Sequence, residues 1–347
     1  MPKWPHGLVI GKFLPPHRGH KHLIDTARAQ VDRLTVMVCD RPEYGLDGEL
    51  RASWLREIHP DCEVILIHDE IDDDDSFLWA ENTKRVLGKS PDVVFTSEDY
   101  GEPYSKFLGC DHVLVDRDRL AIPCSGTQVR DDPLGNLDFL EPCVRAYYVK
   151  RVCILGAEST GTTTMARALA DYYQTSWIAE YGREYWIRKM EQGDIETWDE
   201  SEFVHIAEEQ SRREDIAART ANKVLFCDTD AFATSVWFER YMNRRSARLE
   251  AVGNDRRYHL TFLTGDEIPF EQDGFRDGEH IRHWMHQRFL ERLTEVGRRY
   301  VLLSGDHERR LGQAVREIDI LLQRQKAASE GVQSYDPAQP VDRGAIL

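Results

Sequence analysis

The sequence lacks the features that mark secreted and membrane-spanning proteins. Its seven cysteines contain no CxxC pair, and several lie inside apolar runs, where cysteine behaves as a small hydrophobic residue, so we expect reduced thiols. No run reaches the roughly 18 apolar residues that span a bilayer, and the N-terminus carries no charged-then-apolar signal segment. These absences predict a cytoplasmic protein without a membrane partner.

Positive charge is also scarce. The 347 residues include 45 Lys and Arg against 61 Asp and Glu, which gives a net charge of −16. Because nucleic-acid backbones are polyanions, this acidic excess argues against general DNA or RNA binding. The chain is long enough for two hydrophobic cores of ordinary size.

The first phosphate-binding signature is the pattern GxFxPxHxGH, which the sequence matches at every fixed position from Gly11 to His20. It follows a strand-like run at 8–10 and precedes a helical stretch predicted from His20 to Val31. A glycine lets the backbone approach a triphosphate, and His17 and His20 can both face phosphate at the positive end of that helix. Histidine can donate hydrogen bonds to charge that develops on a transferring phosphoryl group. The residues predicted to bind ATP or its phosphates here are Gly11, Lys12, Phe13, His17, Gly19 and His20.

A second element supports this interpretation. Ser125, Thr127 and Arg130 place two hydroxyls and a guanidinium at a predicted helix start. Arginine presents a fork of donors that matches phosphate geometry, so these side chains suit the β and γ phosphates of a nucleotide.

GxFxPxHxGH followed by SGTxxR resembles the nucleotidyltransferase superfamily of adenylyltransferases. Segments 51–55, 95–98 and 115–119, joined to a C-terminal P-loop domain, resemble the NadR-type nicotinamide-nucleotide adenylyltransferase and ribosylnicotinamide kinase. The resemblance covers roughly residues 6 to 322.

The resemblance implies in-line attack of the 5′-phosphate of nicotinamide mononucleotide (NMN) on the α-phosphate of ATP, with Mg²⁺ as cofactor. His17 and His20 would hold the phosphates, and Arg130 the leaving pyrophosphate. An aromatic side chain should stack on the cationic nicotinamide ring. The candidates are Trp54, in a predicted helix, and Trp79, which follows the acidic run 72–75 on a predicted loop. The run itself is predicted to be a solvated loop and not a metal site.

The second signature is a P-loop with one departure from its pattern. GxxxxGK(S/T) is read here as GAESTGTT from Gly156 to Thr163, so Thr162 occupies the position of the lysine. A buried strand precedes it and a helix follows, so backbone amides and the Thr163 hydroxyl, a predicted Mg²⁺ ligand, remain available. The predicted P-loop residues are Gly156, Ser159, Thr160, Gly161, Thr162 and Thr163.

The missing ammonium has an energetic consequence. Losing one charged transition-state contact costs about 3 to 4 kcal/mol, or 10²- to 10³-fold in rate, unless another cation replaces it. Arg183, and Arg276 at the position of a mobile lid, are the candidate substitutes.

An apolar run that ends in two carboxylates, Asp228 and Asp230, follows the P-loop in the manner of a Walker B strand. Such carboxylates hold Mg²⁺ or orient a hydroxyl, and Asp228 is the predicted metal ligand. The resemblance adds a nicotinamide riboside site; which carboxylate binds ribose and which acts as the base stays open. The residues of that site are Glu180, Arg183, Glu184, Asp228 and Asp230.

Short apolar runs alternate with helical stretches along the chain, which predicts doubly wound parallel sheets: a Rossmann-like nucleotidyltransferase domain and a P-loop kinase-like domain. We predict a nucleotidyltransferase domain at 1–137, a connecting helix at 138–150, a P-loop domain at 151–325 and a disordered tail at 326–347. Some members of the resembled family carry an N-terminal helix-turn-helix domain, which we do not expect here because only about six residues precede the first strand.

Three hypotheses follow. The first is an enzyme that makes NMN from nicotinamide riboside in one domain and NAD from NMN and ATP in the other, as a monomer or a homo-oligomer. The second is an adenylyltransferase whose P-loop domain is catalytically weak and senses nucleotides. The third, a non-catalytic nucleotide-binding scaffold, would require a complete HxGH motif to be idle.

Overall fold

The computed structural model describes residues 3–193, 197–272 and 279–330. The chain forms two compact units that divide after Val144, and the second unit runs from Arg145 to Arg324. Arg276, the predicted lid residue, and residues 331–347, most of the predicted tail, lie outside the described residues.

The first unit is built around a parallel five-stranded sheet with strand order β3-β2-β1-β4-β5. Its elements, with the helix that contains the unit boundary, are β1 (Trp4–Gly11), α1 (Arg18–Arg28), β2 (Val31–Asp40), α2 (Gly48–Ile58), β3 (Glu63–His68), α3 (Ser76–Leu87), β4 (Val93–Thr96), α4 (Gly101–Leu108), β5 (Asp111–Leu114), α5 (Gly126–Asp131) and α6 (Pro142–Tyr148).

Alternation of side chains along the strands gives this sheet two apolar faces. Val9 and Phe95 pack with residues of α1 and α2. Their chain neighbours Leu8 and Val94 point to the other face and pack with residues of α3 and α4. The central strands are therefore buried on both sides, as the near-continuous apolar runs in the sequence require.

Two element predictions of the first unit need correction. The helix predicted to end at Val31 ends at Arg28, because Val31 already belongs to β2 and pairs there with Trp4 of β1. The predicted connecting helix is interrupted: a 3₁₀ turn at Leu137–Phe139 precedes α6, which starts at Pro142. Proline suits the first turn of a helix because its missing N–H would have no partner there.

The second unit also contains a parallel five-stranded sheet, in the order β10-β9-β6-β8-β7. Its elements are β6 (Lys150–Leu155), α7 (Thr162–Tyr173), β7 (Trp177–Ile178), α8 (Tyr181–Glu191), α9 (Glu200–Ala218), β8 (Val224–Asp228), α10 (Ala231–Met242), α11 (Ala247–Asn254), β9 (Leu260–Thr264), α12 (Glu279–Glu295), β10 (Val301–Leu303) and α13 (His307–Glu330).

The same alternation organises this second sheet. Val152 and Ile154 of β6 pack with residues of α7 and α13. Cys153 and Leu155 point to the opposite face and pack with residues of α10 and α12. The prediction of two doubly wound parallel sheets is confirmed.

The last helix is longer than predicted. It begins at His307 and extends to Glu330, so the expected tail start at 326 is wrong for its first five residues. The Asp306 carboxylate accepts from the backbone N–H of Arg309 at 2.9 Å and caps the helix, which therefore starts four residues before the predicted Leu311.

All seven cysteines are free thiols. Within the described ranges no helix combines the length and apolar character needed to cross a membrane.

Candidate active sites

The HxGH segment connects the end of β1 to the start of α1. His17 is the N-cap of α1, and its Nδ1 accepts a hydrogen bond from the backbone N–H of Gly19 at 3.1 Å. The backbone N–H of His17 donates in turn to Nδ1 of His20 at 3.3 Å. Because each Nδ1 is an acceptor, each neutral ring carries its proton on Nε2. The segment therefore presents two Nε2–H donors.

Burial keeps both rings uncharged. Burial, together with nearby Arg119, lowers the pKa of His17 to about 4. Burial, His17 and Arg119 lower the pKa of His20 well below its ordinary value. The ring centroids lie 3.8 Å apart, and two imidazolium cations this close would repel each other. Both histidines are thus neutral hydrogen-bond donors at pH 7.

The SGTxxR element lies beside these histidines. Ser125 caps α5 by accepting from the backbone N–H of Gln128 at 3.1 Å. A β-carbon built on Gly126 would lie 3.6 Å from His17 Nε2, so the start of α5 adjoins the imidazole. Arg130 is exposed, and its Nη2 lies 3.4 Å from Thr127 Oγ1. The structure brings the two motifs together.

Lys12 and the acidic run are linked to each other. The ammonium of Lys12 forms an ion pair with Asp73, which also pairs with Arg41 at 3.2 Å. At least one carboxylate of the predicted solvated run is therefore engaged. The fully buried guanidinium of Arg51 donates to the backbone carbonyls of Lys12 and Cys39, which fixes the ends of β1 and β2.

The two tryptophans predicted to stack on nicotinamide are both buried. Trp54 lies in α2, as expected. Trp79 does not lie on a loop: Asp75 caps α3, so the helix begins at Ser76 and includes Trp79. Its indole Nε1 donates to the carbonyl of Asp72 at 3.0 Å and its ring packs in the core with Leu8. The stacking role of both stays a prediction, and their burial argues against it.

The P-loop has the strand-loop-helix setting predicted for it. Gly161 is the N-cap of α7 with a φ of 84°, the left-handed region in which glycine is favoured. A side chain at Gly156 would clash with the hydroxyls of Thr160 and Thr264, so the loop needs glycine there. The buried guanidinium of Arg310 donates to the Thr160 carbonyl at 2.7 Å and so fixes the backbone of the loop.

The Asp228 carboxylate accepts hydrogen bonds from threonine hydroxyls at the start of the P-loop helix α7. Thr163 Oγ1 donates to Asp228 Oδ2 at 2.5 Å, and Thr162 also bonds this carboxylate. Burial nevertheless raises the pKa of Asp228. A Thr hydroxyl beside a strand-end carboxylate is the pair by which P-loop proteins hold Mg²⁺, so the two predicted metal ligands fit that ion. In the described part of the chain no cluster of three His, Cys, Asp or Glu side chains could hold a metal by itself.

A cavity of about 190 Å³ opens onto the P-loop. It is lined by Gly156, Ser159, Gly161, Thr162 and Thr163, and by Glu180 and Arg183 at the start of α8. Arg183 is the one cationic side chain among the described lining residues. Burial, reinforced by the neighbouring Asp228, raises the pKa of Glu180 to about 8. The cavity thus combines a phosphate loop, a cation and a carboxyl group that titrates near neutral pH.

Five aromatic side chains line the same cavity, and the sequence analysis missed all of them. The Trp186 and Trp198 rings are stacked with centroids 5.5 Å apart, and Trp198 lies 4.9 Å from Phe203. No local motif marks these positions, because they come from α8, α9 and α10 and, for Trp198, from the segment just before α9. Only the abundance of tryptophan, eight in all, is visible in the sequence. We call them the aromatic cluster: Trp186, Trp198, Phe203, Trp237 and Tyr241.

Three predicted riboside-site residues do not line this cavity. Asp228 is bonded to the P-loop threonines, as described above, and the other two lie in ion pairs. Asp230 is fully buried; one oxygen accepts from Arg298 Nη1 at 2.5 Å and the other from the backbone N–H of Ala233 at 2.9 Å, which caps α10. Glu184 is exposed and pairs with Arg188 and Arg213, and Arg213 above all lowers its pKa. The placement of both residues is a correction: their carboxylates are engaged in structural ion pairs.

Comparisons with known proteins cover both units. The trifunctional NAD biosynthesis/regulator proteins NadR of Escherichia coli (strain K12) and Salmonella typhimurium are each 30% identical over 312 residues, 83% of this chain and 76% of theirs. A nicotinamide-nucleotide adenylyltransferase of Aeropyrum pernix is 28% identical over 153 residues, which is 40% of this chain and 88% of the relative. Residues 151–310 match a family described as AAA domain.

Solved structures also match most of this chain. Two crystal structures of NadR protein, one in complex with NAD and AMP-PNP and one with NR, cover 92% of this chain and 96% of theirs. Their TM-scores are 0.70 and 0.73, at 22% identity in both cases, so they show a shared fold.

Proposed function

Because this chain belongs to the family of the NadR proteins of NAD biosynthesis, we propose that it makes NAD in two steps, one in each unit. In the second unit, nicotinamide riboside takes the γ-phosphoryl group of ATP and gives NMN and ADP. In the first unit, NMN takes the adenylyl group of another ATP and gives NAD and pyrophosphate.

Adenylyl transfer is supported above all by the two neutral imidazoles of the HxGH segment. In this reaction an oxygen of the NMN phosphate bonds to the α-phosphorus of ATP, and the bond to the β-phosphate oxygen breaks. Negative charge then grows on the transferring group and on the leaving pyrophosphate. His17 and His20 each offer an Nε2–H that can stabilise this charge without transferring a proton. Ser125, Thr127 and Arg130, adjacent on α5, would contact the pyrophosphate.

Phosphorylation of the riboside is supported by the contents of the second unit's cavity. A nicotinamide riboside ring is a cation, and cations bind favourably against aromatic faces, of which the aromatic cluster supplies five. Glu180, in the same cavity, would orient the 5′-hydroxyl and accept its proton. Arg183 would stabilise the transferring phosphoryl group in place of the P-loop lysine.

Mg²⁺ would be held by Thr163 and Asp228 and would neutralise charge on the ATP phosphates. Asp230, whose oxygens are bound by Arg298 and Ala233, is assigned to neither metal nor proton transfer.

A second function is favoured by one observation, the threonine at position 162. An adenylyltransferase with a catalytically weak P-loop unit would still bind nucleotide through the loop amides and would act as a nucleotide sensor. The two functions differ in one product, because only the first yields NMN from nicotinamide riboside.

The test is to incubate the protein with Mg-ATP and either nicotinamide riboside or NMN, and to follow NMN, NAD and ADP by chromatography. NAD from both substrates is expected. NAD from NMN alone would establish the sensor alternative, and NAD from neither would overturn the adenylyltransferase.

A further inference from the structure

Gln210 lies on α9 and lines the cavity of the second unit with only 1% of its surface exposed. It shares one helix face with Phe203 and Ile206, which line the same cavity. Its side chain therefore has no access to bulk water except through the space that a ligand would occupy.

The orientation of its amide group is set by one hydrogen bond. The backbone N–H of Tyr181 donates to Gln210 Oε1 at 2.9 Å. A backbone N–H can only donate, so the oxygen must face Tyr181 and the amino group must point the other way. Among the described residues, Gln210 Nε2 has no hydrogen-bond partner. Buried donors without acceptors are rare in folded proteins, and each needs a physical explanation.

We propose that Gln210 is a specificity-determining residue whose Nε2 donates to an oxygen acceptor of the bound nucleoside. The inference rests on the riboside kinase function proposed above. Gln210 Oε1 meanwhile fixes the first turn of α8, which presents Glu180, Arg183 and Trp186 to the cavity. One side chain thus positions that helix and binds the ligand through different atoms.

The ligand chemistry follows from the donor. An Nε2–H in a site closed from water selects a nucleoside that offers an acceptor and penalises one that does not. Two oxygens of nicotinamide riboside qualify: a ribose hydroxyl, which could donate onward to Glu180, and the carbonyl of the ring carboxamide. Both are neutral acceptors, and substrate analogues distinguish them.

Gln210→Glu separates the two roles. The introduced carboxylate keeps the acceptor for the Tyr181 N–H and has nearly the same shape, but it removes the donor. Gln210→Leu removes both groups. Ser211→Ala is the matched control. Ser211 is the adjacent buried residue, its hydroxyl has no hydrogen-bond partner among the residues that the structure describes, and it does not line the cavity.

The experiment titrates each full-length variant with nicotinamide riboside, without ATP, and reads quenching of tryptophan fluorescence from the aromatic cluster. Gln210→Glu is expected to weaken binding about tenfold at pH 9 and to recover part of the lost affinity at pH 6, where a protonated carboxyl can donate. Ser211→Ala should bind like the unsubstituted protein.

Equal or tighter binding by Gln210→Glu at pH 9 would overturn the proposal, since a carboxylate that replaced no ligand contact would attract the cationic ring. N-Ribosylpyridinium, which lacks the carboxamide, locates the acceptor. If Gln210→Glu also weakens binding of this analogue, the acceptor is on the ribose; if it does not, the acceptor is the carboxamide. Absence of quenching in the unsubstituted protein would instead overturn the riboside site itself, which the proposed kinase requires.

Discussion

The backbone N–H of Gly19 donates to Nδ1 of His17, and a β-carbon at Gly19 would lie 2.9 Å from Cε1 of the same ring. The glycine therefore does two things: it fixes the proton of His17 on Nε2, and it leaves room for the imidazole. Real β-carbons essentially never approach heavy atoms this closely, so any side chain here must displace the ring.

Gly19→Ala is expected to reduce adenylyl transfer, measured as pyrophosphate release, by 10²-fold or more, in keeping with about 3 kcal/mol for a lost transition-state donor. Gly312→Ala is the control. That helical glycine has only the guanidinium of Arg316 nearby, at 3.7 Å, so the substitution should leave pyrophosphate release unchanged. A Gly19→Ala enzyme with full activity would show that the His17 ring need not stay where it is.

His20→Ala should abolish pyrophosphate release from ATP and NMN while ADP formation from nicotinamide riboside continues. The reason is that His20 lies in the first unit and the P-loop cavity in the second. Loss of both reactions in a folded protein, as judged by circular dichroism, would contradict the assignment of one reaction to each unit.

Arg183→Met should lower kcat for riboside phosphorylation by about 10²- to 10³-fold, because Arg183 is the one cation among the described cavity-lining residues. Thr162→Lys alone should change this kcat little. Added to Arg183→Met, it should restore part of the lost kcat. The measurement is the initial rate of ADP release. A large gain from Thr162→Lys alone would mean that Arg183 does not replace the P-loop lysine.

Trp186→Leu should raise the KM for nicotinamide riboside about tenfold, since a stacked indole contributes on the order of 1 kcal/mol or more to binding a cationic ring. The KM for ATP should stay the same. Trp284→Leu, an identical change at a tryptophan that is 46% exposed on α12, is the control and should alter neither constant. Equal KM values in both variants would place the pyridine ring elsewhere.

Glu214 predicts a pH dependence of stability. This carboxyl group is fully buried, accepts from the Tyr258 hydroxyl at 2.8 Å, and has its pKa raised by burial to about 7, above the ordinary 4.5. Between these pH values the folded protein keeps a proton that the unfolded chain has released. The free energy of unfolding should therefore fall by about 3 kcal/mol as the pH rises through this window.

Glu214→Gln should remove that fall. The thermal midpoint of the variant should therefore rise relative to that of the unsubstituted protein as the pH increases from 5 to 8. Glu209→Gln serves as the control. The pKa of Glu209 is lowered to about 2, mainly by Arg212 and then by Arg213, so its contribution to stability changes only below pH 4.5. The difference in thermal midpoint between Glu209→Gln and the unsubstituted protein should therefore stay constant from pH 5 to 8. If the difference in thermal midpoint for Glu214→Gln also stayed constant, the Glu214 carboxyl would be ionised over the whole range from pH 5 to 8.

Much of the fold could be predicted because its signals are local. The strands of both sheets follow from apolar runs such as 93–95 and 224–227, which are buried on two faces and so are apolar at every position. Errors fell at element ends, where caps decide: Asp306 starts α13 earlier than its apolar period indicates, and Asp75 brings Trp79 into a helix.

The first-unit site was also readable from sequence, because its histidines belong to one continuous segment whose geometry is set by a capped helix. The second-unit site was only half readable. The P-loop is continuous, but the aromatic cluster and Gln210 reach the cavity from three separate helices and the segment before α9, with no common sequence pattern.

The sequence by itself determined two parallel sheets, the HxGH segment, and a P-loop without its lysine, since each depends on short-range spacing along the chain. Only the tertiary structure decided which carboxylate faces the cavity. Glu180 and Asp230 are both acidic residues beside phosphate-binding motifs, yet Asp230 is neutralised by Arg298 from a loop 68 residues away, while Glu180 remains in the cavity with a raised pKa. Charge pairing across the fold is a property of three-dimensional proximity, which the order of residues does not encode locally.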